Sequence, residues 1–293
     1  MIFTFNALRI ISLKRRIDPN TNKHASLIGT WADQSCLGFA FLSQARLYRN
    51  LYSYAGLSGL KLYGIQADKH LHIPDVKMPF DSIPTNASIR PQKFTAHATD
   101  EELDDFKQLL KLSKIGPKTY ENLKEDRSFG ITRKWLEDTK KHWETAYDWR
   151  KTEARINALP QFMVKIEDVN VHFMGLFSKK SDAAPIALLH GWPGSFLEFM
   201  SVCELARDKY DENSLPFHFI VPSLPGYAYS SGPTLEEDYT TEDIARIVDK
   251  LMTGLGFDNY ISQGGDIGSF VSRVLGAQYD NCVAVHCTSI HYH

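Results

Sequence analysis

Two neighbouring runs, Phe162-Met163-Val164-Lys165-Ile166 and Val169-Asn170-Val171-His172-Phe173-Met174, alternate with a period near two. The turn-like pair Glu167-Asp168 separates them. Alternation across a short polar break predicts a β-hairpin, and His172 then reads as a sheet residue rather than a ligand. From residue 185 the pattern changes to apolar runs alternating with helix-like segments. A strand is predicted over Ile186–Leu189, then a helix over Phe196–Tyr210. A strand over Phe217–Pro222 follows, ending in the loop Leu224-Pro225-Gly226-Tyr227. The next helix begins near Thr241, with Asp243 in its first turn, and runs to Met252. A strand at 260–262, a glycine-rich turn, a helix to Tyr279 and a last strand over Val283–His286 complete the series. Strands alternating with helices predict an α/β protein with a parallel sheet covered by helices on both faces.

Ahead of the hairpin the periodicity is helical. Thr99 followed by Glu102 forms a capping box. Leu103, Phe106, Leu109, Leu110 and Leu112 then share an apolar face, and Gly116-Pro117 stops the helix. A second helix is predicted from Thr132, with Trp135, Leu136, Trp143 and Ala146 turned inward as core, followed by Asp148-Trp149-Arg150. Residues 1–83 show neither period. There is no acidic residue between Gln34 and Ala67, and Leu, Tyr, Gly and Ser dominate. Such a basic, acid-poor leader fits a poorly ordered extension, a transit peptide or a membrane-surface tether, with the extension favoured.

Composition narrows the class. The 293 residues are 43% hydrophobic, enough for a buried core, and the net charge of −2 gives no reason to expect nucleic acid or an anionic membrane as partner. The charge is uneven: residues 1–83 hold ten Lys/Arg against five Asp/Glu, residues 84–293 hold 23 against 30. Cys36, Cys203, Cys282 and Cys287 show neither metal-ligand spacing nor a disulfide framework, which fits reduced thiols in a reducing compartment. No run of eighteen apolar residues occurs, so no ordinary membrane span is expected.

The candidate chemistry lies in two loops. Gly264-Gly265-Asp266-Ile267-Gly268 sits between an apolar run and a helix, the context of a nucleophile elbow. Glycines two before and two after the central residue permit the sharp turn. The residue at the nucleophile position is Asp266 rather than serine. A carboxylate attacking a saturated carbon forms an alkyl ester that water can cleave at its carbonyl. Taken alone, the pentapeptide reads equally as a plain glycine-rich connection. The second loop, His190-Gly191-Trp192-Pro193-Gly194, follows the strand ending at Leu189, where an α/β-hydrolase fold carries its oxyanion loop. The backbone N–H groups of Trp192 and Ile267 are the expected oxyanion donors.

These motifs resemble a known family. His190-Gly191-Trp192-Pro193-Gly194-Ser195, Pro222-Ser223-Leu224-Pro225-Gly226-Tyr227 and Gln263-Gly264-Gly265-Asp266-Ile267-Gly268-Ser269 are similar to the microsomal and juvenile-hormone type epoxide hydrolases. Leu103–Leu112, Gly116-Pro117, Tyr120, Trp135-Leu136, Trp143 and Asp148-Trp149-Arg150 resemble that family's N-terminal meander. The resemblance covers about residues 84–288. It divides the chain into a leader (1–83), a mainly helical meander (84–160) and the N-terminal part of an α/β-hydrolase core (161–293), with a sheet incomplete at one edge.

The resemblance implies an epoxide hydrolase that needs no cofactor or metal. Its partners are a small hydrophobic epoxide and water, in the cytoplasm or at the microsomal membrane surface. Asp266 is the implied nucleophile, lid tyrosines protonate the leaving oxygen, and a histidine oriented by an acid activates water. His190 has a structural role, with Gly191, Pro193, Gly264 and Gly268, and the Trp192–Pro193 bond is expected to be cis.

The family's lid, acid and histidine follow the nucleophile, whereas 27 residues follow Asp266 here. No general base or acid is identified. His286, His291 and His293 match no family base position, and the pair His291/His293 reads as a polar tail before it reads as a metal site. This predicts impaired turnover in the 293-residue chain. The alternatives are a non-catalytic remnant or binding module and, ranked lower, a haloalkane dehalogenase, in which a Trp usually occupies the position of Ile267.

Overall fold

The hairpin forms where the alternation puts it, from Gln161 opposite Met174 to Ile166 opposite Val169. Glu167 takes φ +52° in the turn, the left-handed backbone that two-residue hairpin loops favour. The computed structural model describes residues 78–236 and 238–288. The leader up to residue 77, Cys36 and the pair His291/His293 lie outside the described residues.

In chain order the elements are β1 (Gln92–Lys93), α1 (Asp100–Leu112), α2 (Arg133–Thr145), α3 (Trp149–Asn157), β2 (Gln161–Ile166) and β3 (Val169–Leu176). They continue with β4 (Ala184–Leu189), α4 (Met200–Lys209), β5 (Phe217–Pro222), α5 (Thr241–Gly254), β6 (Tyr260–Gly264), α6 (Ile267–Gln278) and β7 (Cys282–Cys287). A single 3-10 turn, Phe196–Phe199, leads into α4, where the periodicity predicts one continuous helix.

The seven strands form one sheet in the order β1-β2-β3-β5-β4-β6-β7. The expectation of a parallel sheet holds for β5, β4, β6 and β7 only. The hairpin joins the same sheet, because β3 pairs antiparallel with β5, from Phe173 opposite Pro222 to Leu176 opposite Phe219. This mixed sheet with helices on both faces is the α/β-hydrolase architecture that the loops anticipated.

Adjacent residues on a strand point to opposite faces, and the core divides accordingly. Phe173, Leu189 and Ile220 enter one cluster, closed by Ala245, Val248 and Leu251 of α5 and by Val271 and Leu275 of α6. Met174, Leu188 and Val221 enter the other, closed by Ile156 of α3 and by Met200, Cys203 and Ala206 of α4. Strands buried on both faces read as continuous apolar runs rather than alternating ones, as in Leu188-Leu189.

Three expectations need correction. The apolar faces of α1 and α2 are not core: neither helix buries a residue, and Leu109 and Leu112 are 70% and 75% exposed. The two helices touch each other, through Phe106 and Trp143 with ring centroids 5.9 Å apart, and among the described residues no further layer covers them. The boundary at residue 83 falls inside packed structure. Phe80 is buried, its N–H donates to Glu212 Oε1 at 3.1 Å, and its carbonyl accepts from Phe177 N at 2.9 Å. The helix α3 was not anticipated. Asp148 caps it by accepting from Arg150 N. Its Glu153, 8% exposed, accepts from Ala98 N at 2.8 Å and from Arg150 Nη1 at 2.9 Å. These contacts fasten the segment around Ala98 to the body of the fold.

Candidate active site

Adjacent parallel strands bring the two loops together. Leu188 of β4 pairs with Gln263 of β6, and Leu189 with Gly264. The chain therefore leaves both strands side by side at their carboxyl ends, where ligands bind in open α/β sheets. From β4 it enters the loop beginning at His190, and from β6 the turn to α6.

That turn is as sharp as the glycine spacing implied. A Cβ on Gly264 would stand 2.1 Å from the carbonyl oxygen of Gly268, and a Cβ on Gly268 would stand 2.2 Å from that of Leu189. Any side chain at either position would lift α6 off the strands. Asp266 between them is held at φ +50°, ψ −125°, a strained conformation for a residue with a Cβ and one that functional sites accumulate. The oxyanion loop presses against it: a Cβ on Gly191 would lie 2.4 Å from Asp266 Cβ.

The carboxylate is exposed at the tip of the turn and receives the N–H of Trp192 on Oδ1 at 2.8 Å. Ile267 opens α6, so its N–H has no acceptor within the helix, and the helix dipole at that end favours negative charge. Trp192 is itself 69% exposed, so its indole faces solvent. The Trp192–Pro193 bond is cis.

His190 is fully buried and ties the loop down. Its Nε2 accepts from Leu224 N at 3.0 Å, just beyond β5. That contact requires the proton on Nδ1, which donates to the Gly191 carbonyl at 3.2 Å. Burial pushes the His190 pKa down, while the bond to Gly191 opposes the shift, so the ring stays neutral. The peptide joining Gly191 to Trp192 is thus held at both ends, its C=O by His190 and its N–H by Asp266.

Three other described histidines serve elsewhere. His172 lies inside the sheet layers between Ser223 Oγ and Gln161 Oε1, as its alternation predicted. His218 accepts from Ser178 N at 3.1 Å, and His286 sits on β7 opposite Gln263. Among the described residues no cluster of His, Cys, Asp and Glu is placed to hold a metal ion. Sequence reasoning passed over Glu198, in the 3-10 turn after the loop, whose carboxylate lies over Gly194. The available signal was an acidic residue five positions past Pro193, too weak without the fold.

Comparison with known proteins agrees with this fold. Residues 91–199 match the family described as epoxide hydrolase N terminus, and residues 184–292 match the α/β-hydrolase fold family. Over these two segments the chain is similar to the epoxide hydrolases. The solved structure of Aspergillus niger epoxide hydrolase is 53% identical, with a TM-score of 0.69, over 73% of this chain and 56% of that one. The juvenile hormone epoxide hydrolase of the silkworm Bombyx mori is 25% identical, with a TM-score of 0.58, over 69% of this chain and 53% of its own. Epoxide hydrolase 1 of Sus scrofa is 33% identical over 192 residues, 63% of this chain and 41% of its length. A relative from Dothistroma septosporum is 38% identical over 218 residues, 72% of this chain and 52% of its own length. The chain thus spans about half the length of the curated relatives it matches. No helix among its described residues is long and apolar enough to cross a membrane.

Proposed function

We propose that the protein opens epoxides by attack of Asp266 on a ring carbon. The observation that carries this reading is the carboxylate at the tip of a strained turn, with one oxygen held by Trp192 N–H at 2.8 Å. The held oxygen, Oδ1, becomes the carbonyl of the ester, and the second oxygen attacks. An O–C bond forms, the epoxide C–O bond breaks, and the released alkoxide takes a proton from water. The product is a hydroxyalkyl ester of Asp266.

In the second half, water adds to the ester carbonyl. Negative charge develops on Oδ1, where the N–H groups of Trp192 and Ile267 are the oxyanion donors. Collapse releases a vicinal diol and restores the carboxylate. That half needs a base to activate water. His172, His190 and His218 each make structural hydrogen bonds with a ring nitrogen, so none is offered as that base. In the 293-residue chain, ester formation should therefore outrun ester hydrolysis. The exposed indole of Trp192 favours a small hydrophobic epoxide, met in the cytoplasm or at the microsomal surface. The dehalogenase alternative is disfavoured by Ile267 in the position after the nucleophile.

The test is incubation with a reactive aryl epoxide, followed by intact-mass and peptide mass spectrometry. One adduct mapped to Asp266, and none with Asp266→Asn, is the expected result. No adduct, or adducts elsewhere only, would overturn the reading in favour of a binding module. Sustained multiple turnover to diol would overturn the expectation that ester formation outruns ester hydrolysis.

A further inference from the structure

The loop after β5 is laced to β3 by buried polar groups that the motifs did not single out. His172 N–H donates to Ser230 Oγ at 2.9 Å. Ser230 Oγ–H in turn donates to the Ser223 carbonyl at 2.7 Å. The peptide that begins with that carbonyl ends in Leu224 N–H, which donates to His190 Nε2 at 3.0 Å. The His190 proton therefore sits on Nδ1 and points at the Gly191 carbonyl, 3.2 Å away. The peptide that begins there ends in Trp192 N–H, which donates to Asp266 Oδ1 at 2.8 Å. Two peptide units, 223–224 and 191–192, are thus each bound at both ends, with the His190 ring between them. No link can be reversed. A carbonyl only accepts, an amide N–H only donates, and each fixes the sense of the hydroxyl or imidazole beside it. Every donor in the series points towards the nucleophile. His172, Ser223, Leu224 and His190 are fully buried and Ser230 nearly so, so the links lie away from solvent.

We propose that Ser230 is a positioning residue for the oxyanion donor: its hydroxyl heads a one-way chain of hydrogen bonds, through Leu224 N–H and the neutral His190 ring, that aims and polarises Trp192 N–H towards Asp266 Oδ1. This inference rests on the proposed role of Asp266 for its functional meaning, but the chain itself involves no substrate. Hydrogen bonds in series polarise one another, most strongly at low dielectric. The last donor of such a chain is stronger than the same N–H would be alone. Its acceptor is the charged carboxylate at rest, and Oδ1 becomes negative again as water adds to the ester, when a preorganised donor matters most. A second tie between the same loop and strand supplies the contrast. Asn170 N–H donates to Ser231 Oγ at 2.9 Å, and Ser231 N–H donates to the Asn170 carbonyl at 2.9 Å. That tie holds the loop to the strand but is not a link of the chain.

The experiment separates the chain from the mere fastening of the loop. Ser230→Ala removes the head of the chain, Ser230→Thr keeps a hydroxyl there, and Ser231→Ala cuts the neighbouring tie. Proton and nitrogen NMR signals of the 293-residue protein are compared at pH 7, with no epoxide present. In wild type the His190 ring should carry its proton on Nδ1, with a scalar coupling across the bond from Leu224 N–H to Nε2. In Ser230→Ala the Leu224 N–H, His190 Nδ1–H and Trp192 N–H protons should all move upfield, by decreasing amounts along the chain. Ser230→Thr should return them. Ser231→Ala should leave them in place even where it lowers the unfolding midpoint. The Asp266 ester formed with an aryl epoxide should be cleaved by hydroxide about two- to fivefold more slowly in Ser230→Ala, the worth of one cooperative link in a charge-assisted bond. A wild-type His190 ring protonated on Nε2 overturns the proposal whether or not the variants fold. So does an unmoved Trp192 signal or unchanged ester cleavage in Ser230→Ala, and so does an equal movement in Ser231→Ala, which would mark displacement of the loop. A wild-type protein that forms no adduct overturns the proposed function instead, and the NMR signals decide the role of Ser230 without it.

Discussion

Lowering the pH from 7 to 5 should destabilise the fold, and His172 is the group that makes the effect measurable. Its ring is 0% exposed. Gln161 Nε2 donates to the Ile156 carbonyl at 3.0 Å, which turns Oε1 towards His172 Nε2 at 3.1 Å. The proton therefore sits on Nε2, and Nδ1 accepts from Ser223 Oγ at 2.9 Å. Phe94, Phe196 and Tyr229 surround the ring with centroids 4.9, 4.8 and 5.1 Å away. Burial in this setting holds the pKa at about 3, against 6.5 for an unperturbed histidine.

The unfolded chain thus binds a proton that the folded chain refuses. Stability falls as the pH drops below 6.5 and goes on falling towards 3. Over the interval from pH 7 to pH 5 the linked loss is about 2 kcal/mol for this one ring. Carboxylates held low contribute little in that window. Asp243, which its bonds to Thr240 and Arg246 hold at about 2, loses its stabilising effect only as the pH falls below the usual range near 3.8. His218, lowered by burial to about 4, acts in the same direction as His172. The contribution of His172 is therefore read as a difference. Urea unfolding of wild type and His172→Gln at pH 7 and pH 5 should show wild type losing about 2 kcal/mol more across the interval. The variant's lower starting stability cancels in that comparison. Equal losses in the two proteins, or a His172 ring titrating near 6.5 by NMR, would refute the argument.

Two further substitutions probe the elbow. Gly268→Ala puts a methyl group 2.2 Å from the Leu189 carbonyl oxygen, against backbone that cannot give way, and should cost about 3 kcal/mol or more in urea unfolding; an unchanged midpoint would show that the turn is looser than described. Asp266→Gly relieves the strain at φ +50° and should raise stability by about 1 kcal/mol while abolishing the epoxide adduct. A less stable variant would mean that the Trp192–Asp266 hydrogen bond outweighs the strain.

Local rules determined what was legible in the chain. Alternation placed the hairpin, Thr99 and Glu102 marked the start of α1 through a capping box now seen at both bonds, and two glycines four apart marked the elbow because its steric demand lies within five residues. Periodicity could not say what covers a face: Leu109 and Leu112 have helical spacing, yet nothing among the described residues packs over them. Nor could it place β3 against β5 or join a two-residue strand at Gln92–Lys93 to the sheet, since those pairings depend on residues far apart in the chain. The site divides in the same way. Asp266 and its loop were readable from short motifs, whereas three features needed the tertiary structure: the aim of Trp192 N–H, the neutrality of His172 and His190, and the return of Glu198 onto Gly194. Each depends on which groups burial brings within hydrogen-bond range, and burial is a property of the whole fold rather than of any segment.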